Sequence, residues 1–311
     1  MVDSQRTVAG QVEIEGVGLH SGARAAIRIL PAAAASGIVF IRRDRGGAEI
    51  PARYRYLQDS SFATTLATGT ASVATVEHLL AALHGLGIDN ARIEMDGPEV
   101  PILDGSAAPF VRAIQAVGLQ RLGAPRRYLN LLRPVSVKDG DKELLALPSN
   151  ELEATYAIDF PHPAIGRQTV SACIHEESFI HSIAAARTFC MLKDVEAMQR
   201  AGLALGGSLS NAVVVGENGI LNDSLRFPDE FVRHKVLDLV GDLALLGAPL
   251  RAHVIGFKGG HRLHASLIGR ILADASSWTL GTADERVPAA TIALFSHMGG
   301  RLIPRSEALT A

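Results

Sequence analysis

The sequence predicts an α+β fold, and two observations carry that prediction. Strand-like and helix-like segments occur in both halves of the 311 residues, without the strict strand–helix–strand alternation of a parallel α/β sheet. Gly123-Ala124-Pro125 interrupts this pattern near the middle, and the pattern restarts after it. Because 311 residues exceed one ordinary core, we predict two domains, residues 1–122 and 127–305, and the like content of the halves suggests a duplication.

The first half reads as short strands followed by two helices. Period-two alternation and β-branched residues predict the strands, and apolar residues at helical spacing predict the helices. Gly85 ends the first helix, whereas Ser106 as N-cap and Pro109 in the first turn begin the second. In chain order the elements are strands over 8–14, 24–30, 37–42 and 49–56, a helix over 75–83, a strand over 90–95 and a helix over 106–118.

The second half repeats this mixture with longer elements. Its longest helix shows Val232, Val236 and Leu239 at helical spacing. In chain order the elements are strands over 128–137, 144–147 and 151–159, helices over 194–201 and 228–246, a strand over 252–258 and a helix over 261–273. The tail from Ser306 is expected to be loose.

Composition excludes several classes of function. The formal net charge is −2 and there is no long basic run, so neither nucleic-acid binding nor a polybasic membrane patch is expected. Two cysteines, Cys173 and Cys190, cannot build a four-cysteine zinc site, so a metal would be held by His, Asp or Glu. The N-terminus lacks an apolar signal core, and no apolar run is long enough to predict a transmembrane helix. We therefore expect a cytoplasmic protein.

The long helix of the second half carries a polar line on one face. His234 and Asp238 are four residues apart and therefore point the same way, and Asp242 lies one turn further along. An imidazole and a carboxylate at this spacing can hold two corners of a metal ion. Such a pair alone is more often a solvent-facing polar pair, so a metal site requires a third ligand and a base.

The first helix supplies candidates for both. Glu77 and His78 stand together in an otherwise apolar helix, where burying them is costly unless each has a partner. A metal ligand with a general base beside it would satisfy both groups, although an exposed helix edge explains them as well. His84, just before Gly85, is expected to interact with the dipole at the helix C-terminus.

A further histidine lies where a strand meets a helix. His261 follows Lys258-Gly259-Gly260, and glycines there allow the backbone to approach a ligand closely. A loop histidine is an equally good interpretation. His264 is three residues further on, which leaves a second metal pair open.

Taken together, the motifs resemble the UDP-3-O-acyl-N-acetylglucosamine deacetylases, the zinc enzymes of the committed step of bacterial lipid A synthesis. The matching stretches keep the family's order and span nearly the whole chain. They are GVGLHSG at 16–22, TVEHL at 75–79, GLGIDN at 85–90, PILDGSAAPF at 101–110, ARTF at 186–189, LGGS at 205–208, LRF at 225–227, EFVRHKVLD at 230–238 and GH at 260–261.

The resemblance implies a role for each matching position. His78, His234 and Asp238 match the zinc ligands, Glu77 the general base, His261 the catalytic histidine, Asp242 its orienting carboxylate and Thr188 the hydroxyl that helps to hold the oxyanion. Phe189, Lys235 and Lys258 match positions that contact the sugar nucleotide, with His20 near the same region, and Leu192, Leu209 and Val214 fall in the insert that forms the acyl passage. The implied fold is two domains of similar topology, with the helices sandwiched between β-sheets.

The implied reaction is zinc-dependent hydrolysis of the acetamide of a small-molecule substrate, an acylated UDP-amino sugar, by a monomer. The proton for the departing amine would come from His261 or be returned by Glu77, and the sequence leaves both routes open. Two other functions also remain. A different metallohydrolase, such as a phosphoesterase, could use the same ligands, and a binding module for a nucleotide sugar or acyl chain would need neither Glu77 nor zinc.

Overall fold

The structure is a computed structural model that describes residues 3–295. Strands and helices are mixed throughout this range, which confirms the α+β class. The helices are α1 (Glu77–Gly85), α2 (Ala108–Val117), α3 (Glu176–Ser182), α4 (Leu192–Arg200), α5 (Glu230–Leu243), α6 (His261–Ala273) and α7 (Ala289–Phe295). The expected loose tail from Ser306, and the end of the second predicted domain, lie outside the described residues.

The strands run from one end of the described range to the other. They are β1 (Ser4–Val8), β2 (Val12–Val17), β3 (Arg24–Leu30), β4 (Ile38–Arg42), β5 (Ala48–Pro51), β6 (Leu57–Asp59), β7 (Thr65–Thr68), β8 (Ala71–Val73), β9 (Ala91–Met95), β10 (Leu119–Pro125), β11 (Tyr128–Leu131), β12 (Val135–Asp139), β13 (Lys142–Pro148), β14 (Leu152–Asp159), β15 (Arg167–Cys173), β16 (Phe189–Met191), β17 (Val213–Gly216), β18 (Gly219–Ile220), β19 (Leu250–Phe257) and β20 (Trp278–Gly281).

The two main sheets share one topology. In the first half β2, β3 and β9 pair antiparallel in turn, β9 pairs parallel with β4, and β4 pairs antiparallel with β5. In the second half β12, β13, β19, β14 and β15 repeat the same sequence of antiparallel and parallel pairings. Strands β11 and β20 extend the second sheet. The similar topology that the resemblance implies is therefore present, although the sequence shows no repeat in register.

The helices lie between these sheets. α2 contacts β2 of the first sheet, α5 and α6 contact strands of the second, and α1 contacts both α2 and α5. α1 precedes β9 and α5 precedes β19, so the two helices occupy equivalent places in the two halves. Buried apolar side chains from both halves form one continuous cluster, which includes Leu79 of α1 and Val236 of α5. This layer of helices determines where the polar side chains of α1 and α5 can meet.

Several elements agree with the sequence prediction and others differ. The strand over 24–30 and the helix over 261–273 have the predicted bounds. The run 49–56 is not one strand, because β5 ends at Pro51, which has no N–H to donate, and a 3₁₀ turn follows at Tyr54–Tyr56. The runs 8–14 and 128–137 each divide into two strands.

Two local predictions need correction for stated reasons. Ser106 is not the N-cap of α2, since Ala107 holds that position and the Ser106 hydroxyl donates instead to Asp104 Oδ1 at 2.7 Å. Gly123-Ala124-Pro125 is not a free linker. It lies in β10, which pairs antiparallel with β1 and brings Pro125 opposite Ser4. The chain therefore passes to the second half along a strand tied to the N-terminal segment.

Candidate metal and catalytic site

The site forms where α1 and α5 cross, and a glycine sets their separation. A Cβ added at Gly241 of α5 would lie 2.0 Å from the backbone oxygen of Glu77 in α1, so only glycine permits this approach. The chain enters α1 through Thr75, whose φ of 58° is held by a hydrogen bond from its hydroxyl to the buried Glu99. Glu77 and His78 are therefore presented directly to the polar line of α5.

Three side chains from the two halves converge as a metal ligand set. The ligand atoms of His78, His234 and Asp238 all lie within 4.8 Å of one another, and all three residues are buried. His234 Nε2 is 3.2 Å and His78 Nε2 is 3.7 Å from Asp238 Oδ1. This is the convergence that the sequence predicted for the candidate ligands.

The donor set fits a zinc ion. Asp238 Oδ1 is buried and has no hydrogen-bond partner, although it faces both imidazoles. Burial lowers the pKa of His234 to about 3, so its imidazole is neutral. Although burial raises the pKa of Asp238, the positive charges of Lys235 and His261 help to hold it well below its usual value. Two imidazoles and a carboxylate are a common ligand set for catalytic zinc. An unsatisfied buried carboxylate oxygen aimed at them is costly without a cation.

The segment before β16 fixes the orientation of His234. Its Nδ1 lies 3.1 Å from the carbonyl oxygen of Ala186, so a proton on Nδ1 leaves the Nε2 lone pair for a metal. The neighbouring Arg187 forms a buried ion pair with Glu230, through Nε at 2.8 Å and the terminal nitrogen at 3.0 Å. Glu230 also accepts the Arg187 backbone N–H, and it therefore holds this segment against the start of α5.

Glu77 is buried beside the ligand set with one oxygen occupied. Its Oε2 accepts the backbone N–H of Thr64 at 3.0 Å, and its Oε1 lies 3.8 Å from His261 Nε2. Burial raises the pKa of Glu77. A carboxylate with a raised pKa and a free oxygen beside the ligands is suited to general base catalysis.

His261 and Asp242 form a strong pair at the start of α6. His261 Nδ1 lies 2.7 Å from Asp242 Oδ2. Burial opposes the charged imidazole, but Asp242 and Asp238 outweigh it and raise the pKa of His261 to about 10. Burial likewise opposes the charge of Asp242, yet His261 and its hydrogen bonds lower that pKa to about 2. The imidazole is therefore protonated near neutrality, with Nε2 facing Glu77.

His264 joins this pair as a hydrogen-bonding residue. Its Nδ1 lies 2.7 Å from the same Asp242 Oδ2, and its Nε2 lies 2.9 Å from the Tyr156 hydroxyl. Burial lowers the pKa of His264, so it is neutral, with the proton on Nδ1 and the Tyr156 hydroxyl donating to Nε2. Because the Nδ1 atoms of His261 and His264 both donate to Asp242, these three residues form a hydrogen-bond network, and the second metal pair left open by the sequence is not favoured.

A cavity of about 630 Å³ opens beside the ligands. His234, Thr188, Phe189, Lys235 and Lys258 line it, as does Phe62 from the first half. The backbone N–H of Thr188 donates to Gly105, and its carbonyl accepts from Val213, so its position is fixed from both sides. The structure thus places four predicted residues, Thr188, Phe189, Lys235 and Lys258, in one cavity with the candidate ligand His234.

The two lysines of this cavity have different partners. Lys235 donates to Asp238 Oδ2 at 2.6 Å, and its ammonium lies 5.8 Å from the centre of the Phe189 ring. Lys258 has a φ of 54° and lies 3.0 Å from Asp141 and 3.3 Å from Asp159, whose hydrogen bonds raise its pKa. Lys235 is therefore tied to the ligand set, whereas Lys258 marks the outer rim.

His20 approaches from the first half. Burial lowers the pKa of His20, and the nearby His261 lowers it further, although Glu99 acts in the opposite direction. Its Nδ1 accepts the Ala204 N–H at 3.4 Å, while its buried Nε2 has no hydrogen-bond partner. It does not line the 630 Å³ cavity.

The three residues expected in the acyl passage do not line one common cavity. Leu192 lines a second cavity of about 1050 Å³, which shares Phe160 and Met191 with the first. Leu209 is 50% exposed, and Val214 is buried in β17 with its N–H donating to Asn222. Neither Leu209 nor Val214 lines either cavity.

Sequence reasoning missed five groups around the site. They are the Thr64 side chain and backbone, Tyr156, the Ala186 carbonyl, the hydrogen-bonding role of His264, and Glu230 with its bonds to Arg187. Only Glu230 carried a usable signal, since it lies four residues before His234 on the same helix face. The other four act across elements that are far apart in the chain.

The role predicted for His84 also needs correction. Burial lowers the pKa of His84 to about 4, so its imidazole is neutral. A neutral imidazole has no charge that could interact with the helix dipole.

Comparison with known proteins shows the family to which the sequence is related. The sequence profile of the family described as UDP-3-O-acyl N-acetylglycosamine deacetylase matches residues 5–273. The chain belongs to this family. A UDP-3-O-acyl-N-acetylglucosamine deacetylase from Anaeromyxobacter dehalogenans (strain 2CP-C) is 50% identical over 275 residues, covering 88% of this chain and 89% of the relative. Proteins with the same description from Myxococcus xanthus (strain DK1622) and Pseudomonas entomophila (strain L48) are each 46% identical, over 96% and 88% of this chain and 96% and 92% of their own lengths.

Family membership confirms the resemblance that the motifs predicted. It also agrees with zinc as the cofactor, because the deacetylases are zinc enzymes and the His78, His234 and Asp238 cluster provides a suitable ligand set. Within residues 3–295, none of the helices has the length and apolar character needed to cross a membrane.

Proposed function

We propose that this member of the deacetylase family hydrolyses the acetamide of UDP-3-O-acyl-N-acetylglucosamine, giving UDP-3-O-acyl-glucosamine and acetate. This is the committed step of lipid A synthesis. One observation carries the proposal. His78 and Glu77 of α1 meet His234 and Asp238 of α5 and His261 of α6 beside a cavity that His234 lines. A ligand set, a buried carboxylate and a protonated imidazole are the groups that amide hydrolysis requires.

His78, His234 and Asp238 would hold the zinc ion. Zinc at this position supplies Lewis-acid chemistry, lowering the pKa of water and polarising the amide carbonyl. The Ala186 carbonyl keeps His234 in the tautomer that ligation needs. Lys235 neutralises the Asp238 oxygen that faces away from His234.

Glu77 acts as the general base. Its Oε2 is occupied by the Thr64 N–H, so Oε1 takes the proton of the attacking water. His261 lies 3.8 Å from that oxygen, and its imidazolium is held by Asp242. We assign the proton for the departing amine to His261, since its imidazolium already carries one when the tetrahedral intermediate collapses.

The remaining site residues bind the substrate. The Thr188 hydroxyl donates to the oxyanion that develops on the amide carbonyl. Phe189 and Lys235 contact the sugar, and Lys258 meets the anionic diphosphate from the rim. His20 of the first half lies near His261, and its buried, unpartnered Nε2 makes it a further candidate for substrate binding.

The cavity lined by Leu192 receives the acyl chain in this proposal. It adjoins the catalytic cavity and shares Phe160 and Met191 with it, so a chain attached to the sugar would pass directly from one to the other. Leu209 and Val214 do not line this cavity. We also propose that residues 1–122 and 127–305 form the two domains, and that the protein is a cytoplasmic monomer without a nucleic-acid partner.

Two measurements test the function. Purified protein should contain about one zinc ion, and His78→Ala, His234→Ala and Asp238→Ala should each reduce that content. Retention of full zinc content by all three variants would refute the ligand assignment. Glu77→Ala should lower turnover by on the order of 10²–10⁴ without removing zinc, measured as acetate release from the acylated UDP-amino sugar.

The same assay separates the alternatives. Release of phosphate without acetate would favour a phosphoesterase, and substrate binding in calorimetry without any product would favour a binding module. His181→Ala is a matched control for the ligand variants, because His181 is exposed in α3 and lines neither the catalytic cavity nor the cavity lined by Leu192. We expect that variant to keep both zinc and turnover.

A further inference from the structure

Thr64 occupies an unusual place between the two acid–base groups. It lies immediately before β7 in the first half, and its side chain is buried, at 1% exposure. Its hydroxyl donates to Asp242 Oδ1 at 2.5 Å, and its backbone N–H donates to Glu77 Oε2 at 3.0 Å. No other described residue hydrogen-bonds to both of these carboxylates.

The hydrogen-bonding requirements of Asp242 make the hydroxyl significant. Asp242 Oδ2 is already shared by the Nδ1 atoms of His261 and His264. The Thr64 hydroxyl donates the hydrogen bond to the other oxygen, Oδ1. It therefore fixes the rotation of the Asp242 carboxylate about its own axis. If the carboxylate rotates, the imidazole of His261 turns with it, and Nε2 moves away from the reacting atoms.

The backbone bond has a corresponding effect on Glu77. By occupying Oε2, the Thr64 N–H leaves free the oxygen that lies 3.8 Å from His261 Nε2. Thr64 therefore aligns the Glu77 base, which lies in the same half of the chain, with the Asp242 carboxylate of the second half.

We propose that Thr64 is a positioning residue for the deacetylation reaction, and that it aligns the Glu77 base with the Asp242–His261 pair across the two halves. This inference rests on the proposed function. It requires only the hydroxyl and the backbone N–H of Thr64, and it assigns Thr64 no contact with substrate or zinc.

The structure suggests a set of variants that isolate the hydroxyl. Thr64→Val keeps the β-branched shape and the backbone N–H but removes the donor to Asp242, whereas Thr64→Ser restores a donor. Thr65→Val is a matched control, because Thr65 is next in sequence and none of the described side-chain hydrogen bonds involves its hydroxyl. Thr64→Ala serves as a second hydroxyl deletion if Thr64→Val does not fold.

The expected result is a change in kcat with little change in KM. For zinc-loaded protein, Thr64→Val should lower kcat by on the order of 10- to 100-fold and leave KM within about threefold, because the lost alignment matters in the transition state rather than in binding. Zinc content should be unchanged, Thr64→Ser should recover kcat to within about fivefold, and Thr65→Val should match the wild type.

A double-mutant cycle tests the route of the effect. If Thr64 acts through Asp242, Thr64→Val should have little further effect in an Asp242→Asn background. Full additivity, equal losses in Thr64→Val and Thr64→Ser, a loss confined to KM, or wild-type kcat in Thr64→Val would each overturn the inference. These outcomes leave the proposed function intact, which fails separately if the zinc-loaded wild type releases no acetate.

Discussion

Replacing Gly241 by alanine should damage the site, although local helix energetics predicts the opposite. Glycine inside a helix is about 1 kcal/mol less favourable than alanine, so Gly241→Ala in an isolated α5 would be stabilising. In the folded protein the added Cβ would meet the Glu77 backbone oxygen at 2.0 Å and its carbonyl carbon at 2.8 Å. Both atoms belong to backbone, and neither can rotate away.

The size of the displacement decides between these effects. Ordinary contact begins near 3.4 Å, so α1 and α5 would have to separate by roughly 1.4 Å at this crossing. Overpacking of this kind costs about 1–3 kcal/mol, which outweighs the helix propensity. The same separation moves Glu77 and His78 away from Asp238, and a misplacement of about 1 Å can cost on the order of 10²-fold in rate. We expect a net loss of stability, weaker zinc binding and a kcat/KM reduced by about that factor.

Three measurements on one preparation test this reasoning. They are thermal unfolding, zinc content after dialysis against a weak chelator, and acetate release. Gly123→Ala is the matched control, because Gly123 is exposed in β10 and an added Cβ would meet nothing within 4 Å. A Gly241→Ala protein with wild-type zinc retention and turnover would show that the crossing of α1 and α5 does not set the ligand geometry.

Two further predictions concern stability. Glu230→Gln should destabilise the protein by about 3–5 kcal/mol in denaturant unfolding, because it leaves the buried charge of Arg187 without its partner, and a loss below about 1 kcal/mol would contradict that account. His84 has a pKa of about 4 in the folded protein against 6.5 for an ordinary histidine, so the unfolded chain takes up its proton first as pH falls. As the pH falls from about 6.5 to about 4, the free energy of unfolding should therefore decrease by up to about 3 kcal/mol. The variant His84→Asn should show a flatter dependence of this free energy on pH over the same range. An unchanged profile would show that His84 is not the titrating group.

The fold could be read from the sequence where periodicity and turn chemistry act locally. β3 and α6 have their predicted bounds because alternation and a glycine-led start are properties of the segment itself. The break in the run 49–56 is also local, because Pro51 has no N–H to donate and ends β5. The segment 123–125 was misread for the opposite reason, since the pairing of Pro125 with Ser4 joins residues that are distant in the chain.

The same distinction between local and long-range features applies to the candidate site. Within one helix the side-chain spacing is fixed, so the sequence by itself determined that His234 and Asp238 share a face and that Glu77 adjoins His78. Its motifs also determined the family and, with the family, zinc. The similar topology of the two halves could be expected only through the family resemblance, because the sequence shows no repeat in register. The equivalent places of α1 and α5 were visible only in the structure.

Only the tertiary structure decided which of these groups meet. The approach of α1 and α5 at Gly241 brings His78 to His234 and Asp238, and the folded chain places the Thr64 hydroxyl within hydrogen-bond distance of Asp242. Thr64, Tyr156 and the Ala186 carbonyl have no distinctive spacing, because their partners belong to other elements. The residue types of the reaction are therefore set by the sequence. Their distances and the free oxygens of the carboxylates arise from close packing in the folded protein, and the raised pKa of His261 arises from Asp242 and Asp238, which outweigh burial.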